Sequence, residues 1–179
     1  MLFEQLDFHS VFLEEGKDFY QCLRRIDKDE FNYWVKQNFI SIGEFHSFED
    51  VKPNPSIIAL SEQSGYKHID ARCHYSAKAI SILMPEFEYW TGFVVRNESI
   101  RPIITHSFNV LNNHIVDFTK HITDPFNKLD QKTYPHEYFG VRIPREFVLN
   151  FRDEILNEHS MNPLICEWYT AEINNSNFH

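Results

Sequence analysis

The stretch CHYSAKAISILM, residues 73–84, decides the fold that this sequence predicts. Its small and apolar residues recur at the three- to four-residue spacing of a helix, and Pro85 stops the pattern. Polar positions are few within that spacing, so the segment is typical of a helix that is covered on most sides. We therefore predict a buried helix that begins at Cys73.

Beyond Pro85 the hydrophobic period falls towards two, which is typical of β-strands. Strand-like runs cover residues 87–96, 102–111 and 115–118, and polar turns such as Asn112-Asn113 separate them. Because the turns are short, we expect these strands to be antiparallel neighbours. A further apolar run covers residues 138–143. Pro144 then opens a predicted final helix that reaches about Asn157.

The N-terminal part predicts a helical scaffold. One helix is expected over residues 11–25 and a second over 27–38, where Asp27 is the N-cap and Glu30 stands at the reciprocal capping-box position. The proline pair in residues 52–55 indicates a loop, and a short helix is expected over residues 56–64. Helices first, one buried helix and then a sheet predict the α+β class.

Length and charge set the domain count and exclude some partners. A chain of 179 residues predicts one domain. Within it we expect a helical part (1–55), a core (70–145) and a C-terminal helix with a tail (146–179). Seventeen basic against 26 acidic residues give a net charge of -9, which repels nucleic acid and anionic lipid.

Two observations on segments bear on location. No run reaches the roughly 18 apolar residues that a bilayer span needs. The N-terminus carries acidic residues where a signal peptide would carry basic ones. We therefore predict no membrane partner and a cytoplasmic location, with secretion without a cleaved signal left open.

The three cysteines have different surroundings. Their number is odd and CxxC spacing is absent, so neither a disulfide framework nor a thiolate zinc site is predicted. Cys22 and Cys166 are expected to fill the core. Cys73 stands at the start of a predicted helix, where free amide hydrogens and the helix dipole lower the pKa of a thiol. Cys73 is therefore the candidate nucleophile.

A cysteine hydrolase also needs an imidazole base and a polar group that orients it. His106 lies within the apolar alternation of one predicted strand, and Asp117 lies in the next strand. The chain between them is long enough for a tight turn and a return, so a hairpin would set them side by side. Asn109 is the second choice as orienting residue, because its odd offset from His106 puts it on the opposite sheet face.

This order of Cys, His and Asp resembles the papain-like and transglutaminase-core superfamily of cysteine enzymes, in particular small uncharacterised bacterial or phage-type members. Five pieces carry the resemblance: CHYSA (73–77), YWTG (89–92), HSFNV (106–110), VDFT (116–119) and YFGV (138–141). Three positions depart from the pattern. Ser76 stands where Asn is frequent, Phe108 replaces Trp, and Phe118 replaces Pro.

The resemblance implies a fold and a site. The fold would have N-terminal helices, a buried helix starting at the nucleophile and then an antiparallel sheet. Cys73 would be the nucleophile and His106 the base, oriented by Asp117, with the Cys73 backbone amide in the oxyanion hole and no cofactor. Further residues are expected to contact the substrate or the oxyanion: Gln63, His74, Phe108 and Tyr138, with Tyr66 and His68 as additional candidates.

The predicted reaction is hydrolysis of a peptide or protein amide through a thioester, by a peptidase, amidase or deamidase. A transglutaminase or acyltransferase on the same triad is the alternative, since the outcome depends on what attacks the thioester. Residues 120–137 form a polar segment, expected to be a lid or substrate loop. Because this segment shows no acceptor site, hydrolysis is favoured.

Two other classes stay open. One is a non-catalytic protein-interaction module that keeps the fold. The other is a metal or phosphate enzyme built on histidines, since His106, His114, Asp117 and His121 lie within a short span. Their strand offsets do not put all four on one face. Thr105-His-Ser107 and His121-Ile-Thr123 also resemble the paired motifs of two-histidine phosphoesterases, although here the two lie unusually close together.

Overall fold

The structure, a computed structural model, describes residues 3–15, 20–69, 72–96, 103–119 and 136–176. Over these residues the chain is an α+β protein with an antiparallel sheet, as predicted, and the sheet forms a half-barrel. The helices are α1 (Phe8–Glu15), α2 (Lys28–Asn38), α3 (Pro55–Gln63), α4 (Cys73–Leu83), α5 (Arg145–Leu149), α6 (Arg152–Glu158) and α7 (Ile165–Ser176). The strands are β1 (Ile40–Phe45), β2 (Glu88–Arg96), β3 (Ile103–Leu111), β4 (His114–Val116) and β5 (His136–Ile143). Among the described helices, none has the length and apolar character to cross a bilayer.

The central part of the chain follows the predicted pattern closely. Helix α4 begins at Cys73, and β2, β3 and β4 are consecutive antiparallel neighbours. Asn112 and Asn113 form the turn between β3 and β4 with φ of 51° and 64°. Asparagine tolerates this left-handed conformation better than most residues, which explains why a two-residue turn is possible here.

The sheet order is β1-β5-β2-β3-β4, so β5 lies between β1 and β2. Gly92 of β2 pairs with Gly140 of β5. A Cβ atom on Gly92 would lie 2.2 Å from the carbonyl oxygen of Phe139, a distance that no real Cβ contact shows. The close approach of β2 and β5 therefore requires glycine, which gives a physical reason for the glycines in two of the five pieces.

Helix α4 packs on the sheet face that carries the odd-numbered residues of β3. The amide nitrogen of Asn109 donates to the carbonyl of Ala77 at 2.9 Å, and apolar residues of both elements share one core cluster. The opposite face carries Phe108 and is covered by a second cluster around Val51. Strand β4 pairs only with residues 109–111 of β3. Along the same edge of β3, the described chain places no strand beside residues 103–108.

Several helix boundaries differ from the prediction. Helix α1 begins at Phe8 rather than residue 11, and Gln21–Arg25 is a 3-10 helix. Residues 16–19 of the predicted helix 11–25 lie outside the described residues. Asp27 caps α2 as predicted, accepting bonds from two first-turn amides. The predicted final helix is divided into α5 and α6 by Phe151, whose φ is −111°.

Two elements were not predicted. Strand β1 is short, contains Gly43, which weakens a strand pattern, and has no fully buried residue. Helix α7 follows α6 where only a tail was expected. It contributes Tyr169, which is 4% exposed, to the cluster formed with α1 and α2.

Cys22 and Cys166 belong to a core cluster, as expected, but the expectation that the chain has no disulfide is wrong. They form a disulfide with a Cα–Cα distance of 6.4 Å, across 144 residues of sequence, and Cys73 is the free cysteine. Aromatic packing between α1, α2 and α7 brings the two ends of the chain together. Spacing along the sequence carries no signal for a contact of this kind.

Candidate active site

Cys73 is the first residue of α4 and is half-buried, whereas the residues from His74 to Ile82 are buried. The first backbone bond of the helix runs from the Ser76 amide to the Arg72 carbonyl at 2.8 Å, and Arg72 provides no side-chain cap. The amide groups of the first turn before Ser76 therefore have no acceptor within the helix. Their partial positive charge lies beside the sulfur, as the sequence predicts for a reactive thiol.

His106 and Asp117 lie side by side, as the hairpin predicts. His106 Nε2 is 2.7 Å from Asp117 Oδ2, and the two side chains are 3% and 1% exposed. The carboxylate accepts two further bonds, from the Thr119 amide at 2.8 Å and from the Tyr138 hydroxyl at 3.0 Å. The Asp117 amide donates to the Val51 carbonyl at 2.7 Å. Asp117 is thus a carboxylate held in one orientation.

The bond to Asp117 fixes the tautomer of His106. Because a carboxylate only accepts, Nε2 carries the hydrogen in the neutral ring and Nδ1 is left with its lone pair. Cys73 lies close enough to His106 to raise the pKa of the ring. The structure therefore brings the predicted thiol, imidazole and carboxylate together.

The charges around Cys73 and His106 favour a thiolate on Cys73 and an imidazolium on His106. Burial alone would raise the pKa of the Cys73 thiol, but the charges of His74 and His106 and their hydrogen bonds outweigh it and hold that pKa well below its usual value. Burial would lower the pKa of His106, whereas Asp117 and Cys73 raise it above its usual value. The proton therefore belongs on the ring rather than on the sulfur.

His74 has a contact that was not predicted. It is 2% exposed, its Nδ1 lies 2.7 Å from Ser107 Oγ, and its Nε2 lies 3.4 Å from the Tyr20 hydroxyl. The ring also lies close enough to Cys73 to lower the pKa of its thiol. Its neighbours come from β3 and from the N-terminal region, and no local sequence pattern connects those segments with α4.

Phe108 and Tyr138 surround the imidazole. The Phe108 ring stacks near His106 with centroids 6.3 Å apart and an interplanar angle of 19°. Tyr138 meets the same imidazole edge-on at 6.0 Å, and its hydroxyl reaches Asp117. Both residues were expected to contact substrate or oxyanion, and that role stays a prediction. What the structure adds is that they hold the His106–Asp117 pair.

The other candidate residues precede Cys73 closely in the sequence, and the structure places them in different surroundings. Gln63 is exposed at the end of α3. Tyr66 is buried and donates to Ser76 Oγ at 2.9 Å, while the exposed His68 packs edge-on against Tyr66. Asn109 lies on the α4 face, as its offset predicts, so it does not orient His106. A contact of Gln63, Tyr66 or His68 with an oxyanion stays a prediction.

The histidine alternatives are only partly within the described residues. His114 is exposed at the start of β4, whereas His121 and nearly all of the predicted lid, residues 120–135, lie outside the described residues. Where the structure describes the chain, no group of three or more His, Cys, Asp or Glu side chains is placed to hold a metal ion.

Comparisons with protein-family models, with curated proteins and with solved structures found no match for this chain. The resemblance to papain-like and transglutaminase-core enzymes therefore stays a prediction. The arguments for function come from the geometry of the described residues.

Proposed function

We propose that this protein is a cysteine-dependent hydrolase that cleaves an amide bond of a peptide or protein through a thioester. The observation that carries the proposal is the buried pair of His106 and Asp117, 2.7 Å apart, beside a Cys73 thiol whose pKa the imidazole lowers. A half-buried thiolate at a helix N-terminus is both nucleophilic and reachable.

The reaction follows from the proton on His106. The Cys73 sulfur attacks the amide carbon, and the carbonyl π electrons move to oxygen. His106 Nδ1 then gives its proton to the leaving nitrogen as the carbon–nitrogen bond breaks, which leaves a thioester. Water then attacks the thioester and gives a proton to His106 Nδ1. The carbon–sulfur bond breaks, which releases the acid and restores the thiolate.

Asp117 keeps the ring in the productive orientation throughout. Its bonds from Thr119 and Tyr138 prevent the carboxylate from turning away, and its charge stabilises the imidazolium. The oxyanion formed during attack would accept bonds from the amides at the start of α4, which have no acceptor within the helix. The same machinery serves acyl transfer when an amine replaces water.

An activated ester tests the proposal without knowledge of the substrate. With p-nitrophenyl acetate, we expect a rapid release of one equivalent of nitrophenolate, an acetyl group on Cys73 detected by mass spectrometry, and then slow turnover. Cys73→Ala abolishes the burst, and Asp117→Asn lowers the acylation rate by about a hundredfold or more, since the ring loses its carboxylate partner. Ser81→Ala, which removes a buried hydroxyl elsewhere on α4, is the matched control.

Four results of this assay are informative. Partition of the acetyl group to water supports hydrolysis, whereas preferential transfer to an added primary amine supports the acyltransferase alternative. No acetylation of Cys73 in the folded protein contradicts the enzyme proposal and leaves the interaction-module alternative. Release of nitrophenolate that survives Cys73→Ala would assign the reaction to another residue.

A cytoplasmic location also stays a proposal. The Cys22–Cys166 disulfide weighs against it, because disulfides persist mainly in oxidising compartments. Trapping thiols in intact cells with a membrane-permeant alkylating reagent decides the point. Modification of Cys22 and Cys166 would place the protein in a reducing compartment, and protection of both would contradict a cytoplasmic location.

A further inference from the structure

Two side chains from different strands share one oxygen atom of Asp117. His106 Nε2 lies 2.7 Å from Oδ2, and the hydroxyl of Tyr138 donates to the same Oδ2 at 3.0 Å. The other oxygen, Oδ1, accepts from the backbone amide of Thr119 at 2.8 Å. The imidazole therefore shares its acceptor atom with the phenol, while the amide holds the carboxylate from its other side.

Packing fixes the position of the phenol. Tyr138 has none of its surface exposed. Its ring meets Phe45 of β1 edge-on with centroids 5.6 Å apart, and it meets Phe108 of β3 edge-on at 5.1 Å. The His106 imidazole lies edge-on to it at 6.0 Å. These rings hold the phenol in place, and with it the hydroxyl at Oδ2.

A second donor at Oδ2 weakens the pull of the carboxylate on the imidazole. Each hydrogen bond to a carboxylate stabilises its negative charge and makes it less basic. The hydroxyl dipole also turns its positive end towards Oδ2, and therefore towards the imidazolium that shares this atom. The side chains of His106 and Asp117 are 3% and 1% exposed, so water screens these interactions little. Both effects disfavour the imidazolium.

Such an effect suits the role of a general acid. A general acid works best when its pKa lies near the working pH. Burial lowers the pKa of His106, but Asp117 and Cys73 raise it above its usual value. An imidazolium that holds its proton too firmly releases it slowly to a leaving nitrogen. A donor at Oδ2 opposes this without removing the carboxylate that orients the ring.

We propose that Tyr138 is a positioning residue that, through Asp117 Oδ2, makes the imidazolium of His106 a stronger acid. This inference rests on the proposed function, in which that imidazolium protonates the leaving nitrogen. Tyr138 touches no reacting atom in this role. Within the described part of the chain, the other titratable groups that act on His106 or on Cys73 are His74, Lys78, Tyr89 and Asp117.

A titration of His106 by NMR tests the proposal in the folded full chain and needs no substrate. The background variant Cys73→Ala removes the thiol, so that the ring titrates without it. The imidazole signals are assigned by their loss in His106→Asn. Tyr138→Phe should raise the pKa of His106 by roughly half a unit to one unit, less than the 1–3 units that a full charge produces. Tyr169→Phe, a buried tyrosine of α7, is the matched control and should cause no shift.

The sign of the shift separates this role from simple packing. If the hydroxyl only kept the carboxylate in place, its loss would loosen Asp117 and lower the pKa of His106. A lowered or unchanged pKa in Tyr138→Phe therefore overturns the proposal. In an Asp117→Asn background, Tyr138→Phe should no longer raise the pKa. An equal rise there would show that the hydroxyl acts on the ring directly, and the proposed route through Asp117 would be wrong.

A second replacement covers the case in which Tyr138→Phe does not fold. With 3-fluorotyrosine at position 138 the hydroxyl is a stronger donor, so the pKa of His106 should fall, and the absence of a fall overturns the proposal. The titration also separates this inference from the proposed function. A rise in Tyr138→Phe without acetylation of Cys73 in the ester assay contradicts only the hydrolase. Acetylation of Cys73 without that rise contradicts only the role of Tyr138.

Discussion

Lys78 in the middle of α4 is a charged residue with none of its surface exposed. Its ammonium donates to the carbonyl oxygen of Asn162, and the Asn162 side chain donates to Glu167 at 2.7 Å. Burial lowers the pKa of Lys78 to about 7, although the charges of Glu167, Glu154 and Cys73 act in the opposite direction. The folded protein therefore binds this proton less readily than the unfolded chain does.

Replacing Lys78 by Met should stabilise the fold in a pH-dependent way. Above the usual lysine pKa both states are neutral and the burial costs little. As the pH falls from about 10 to about 7, the unfolded chain takes up the proton first, so wild-type stability falls relative to the variant by roughly 4–5 kcal/mol. Below about pH 7 the difference becomes constant.

Urea unfolding of both proteins across this pH range measures the difference. The exposed Lys67→Met is the matched control, for which we expect no such dependence. If Lys78→Met raises the free energy of unfolding by the same amount at all pH values, the buried charge is not the cause. Such a result would show that the variant acts through packing alone.

Strand β2 depends on Gly92, where β5 approaches too closely for any side chain. Gly92→Ala should cost about 2 kcal/mol or more, because the new Cβ meets backbone atoms of Phe139 and Gly140 that cannot move independently. Val141→Ala, in the neighbouring Thr91 pair, is the control and should cost less. Thermal unfolding of both variants measures the two losses of stability. Equal losses would mean that β2 and β5 can move apart to make room for the new Cβ.

The elements that the sequence predicted well are those with strong local patterns. Helix α4 has helical spacing and a proline stop, and β2, β3 and β4 have alternation with polar turns. Strand β1 and helix α7 have weaker patterns and form because the rest of the fold provides a surface for them. Helices α5 and α6 were predicted as one, since the break at Phe151 has no proline or glycine signal.

In the site, too, contacts between neighbouring segments were predictable and contacts between distant segments were not. The pairing of His106 with Asp117 was predictable, because strand, turn and strand follow each other directly. The bond from Tyr138 to Asp117 was not, since β5 is separated from β3 and β4 by β2 in the sheet and lies far from Asp117 in the sequence. The contacts of His74 with Ser107 and Tyr20 likewise join segments far apart in sequence.

At the scale of the whole molecule, one aromatic cluster joins the two ends of the chain to the sheet. It contains residues of α1 and α2, Phe93 of β2, and Tyr169 of α7. Tyr20 belongs to the same cluster, and its hydroxyl lies 3.4 Å from the His74 ring. The N-terminal helices thus support the site as well as the core, although they contribute no residue to the Cys73–His106–Asp117 line.

The Cys22–Cys166 disulfide links the two ends of the chain covalently. It should add about 3–5 kcal/mol to the free energy of unfolding, because it restricts a very long loop of the unfolded chain. A reductant should therefore lower the unfolding temperature of the wild type by roughly 10 °C. It should not affect the double variant Cys22→Ser with Cys166→Ser, which starts at the lower value. Without reductant, alkylation of the folded protein should modify Cys73 alone. Alkylation of Cys22 or Cys166 under those conditions would show that the two ends are held by packing only.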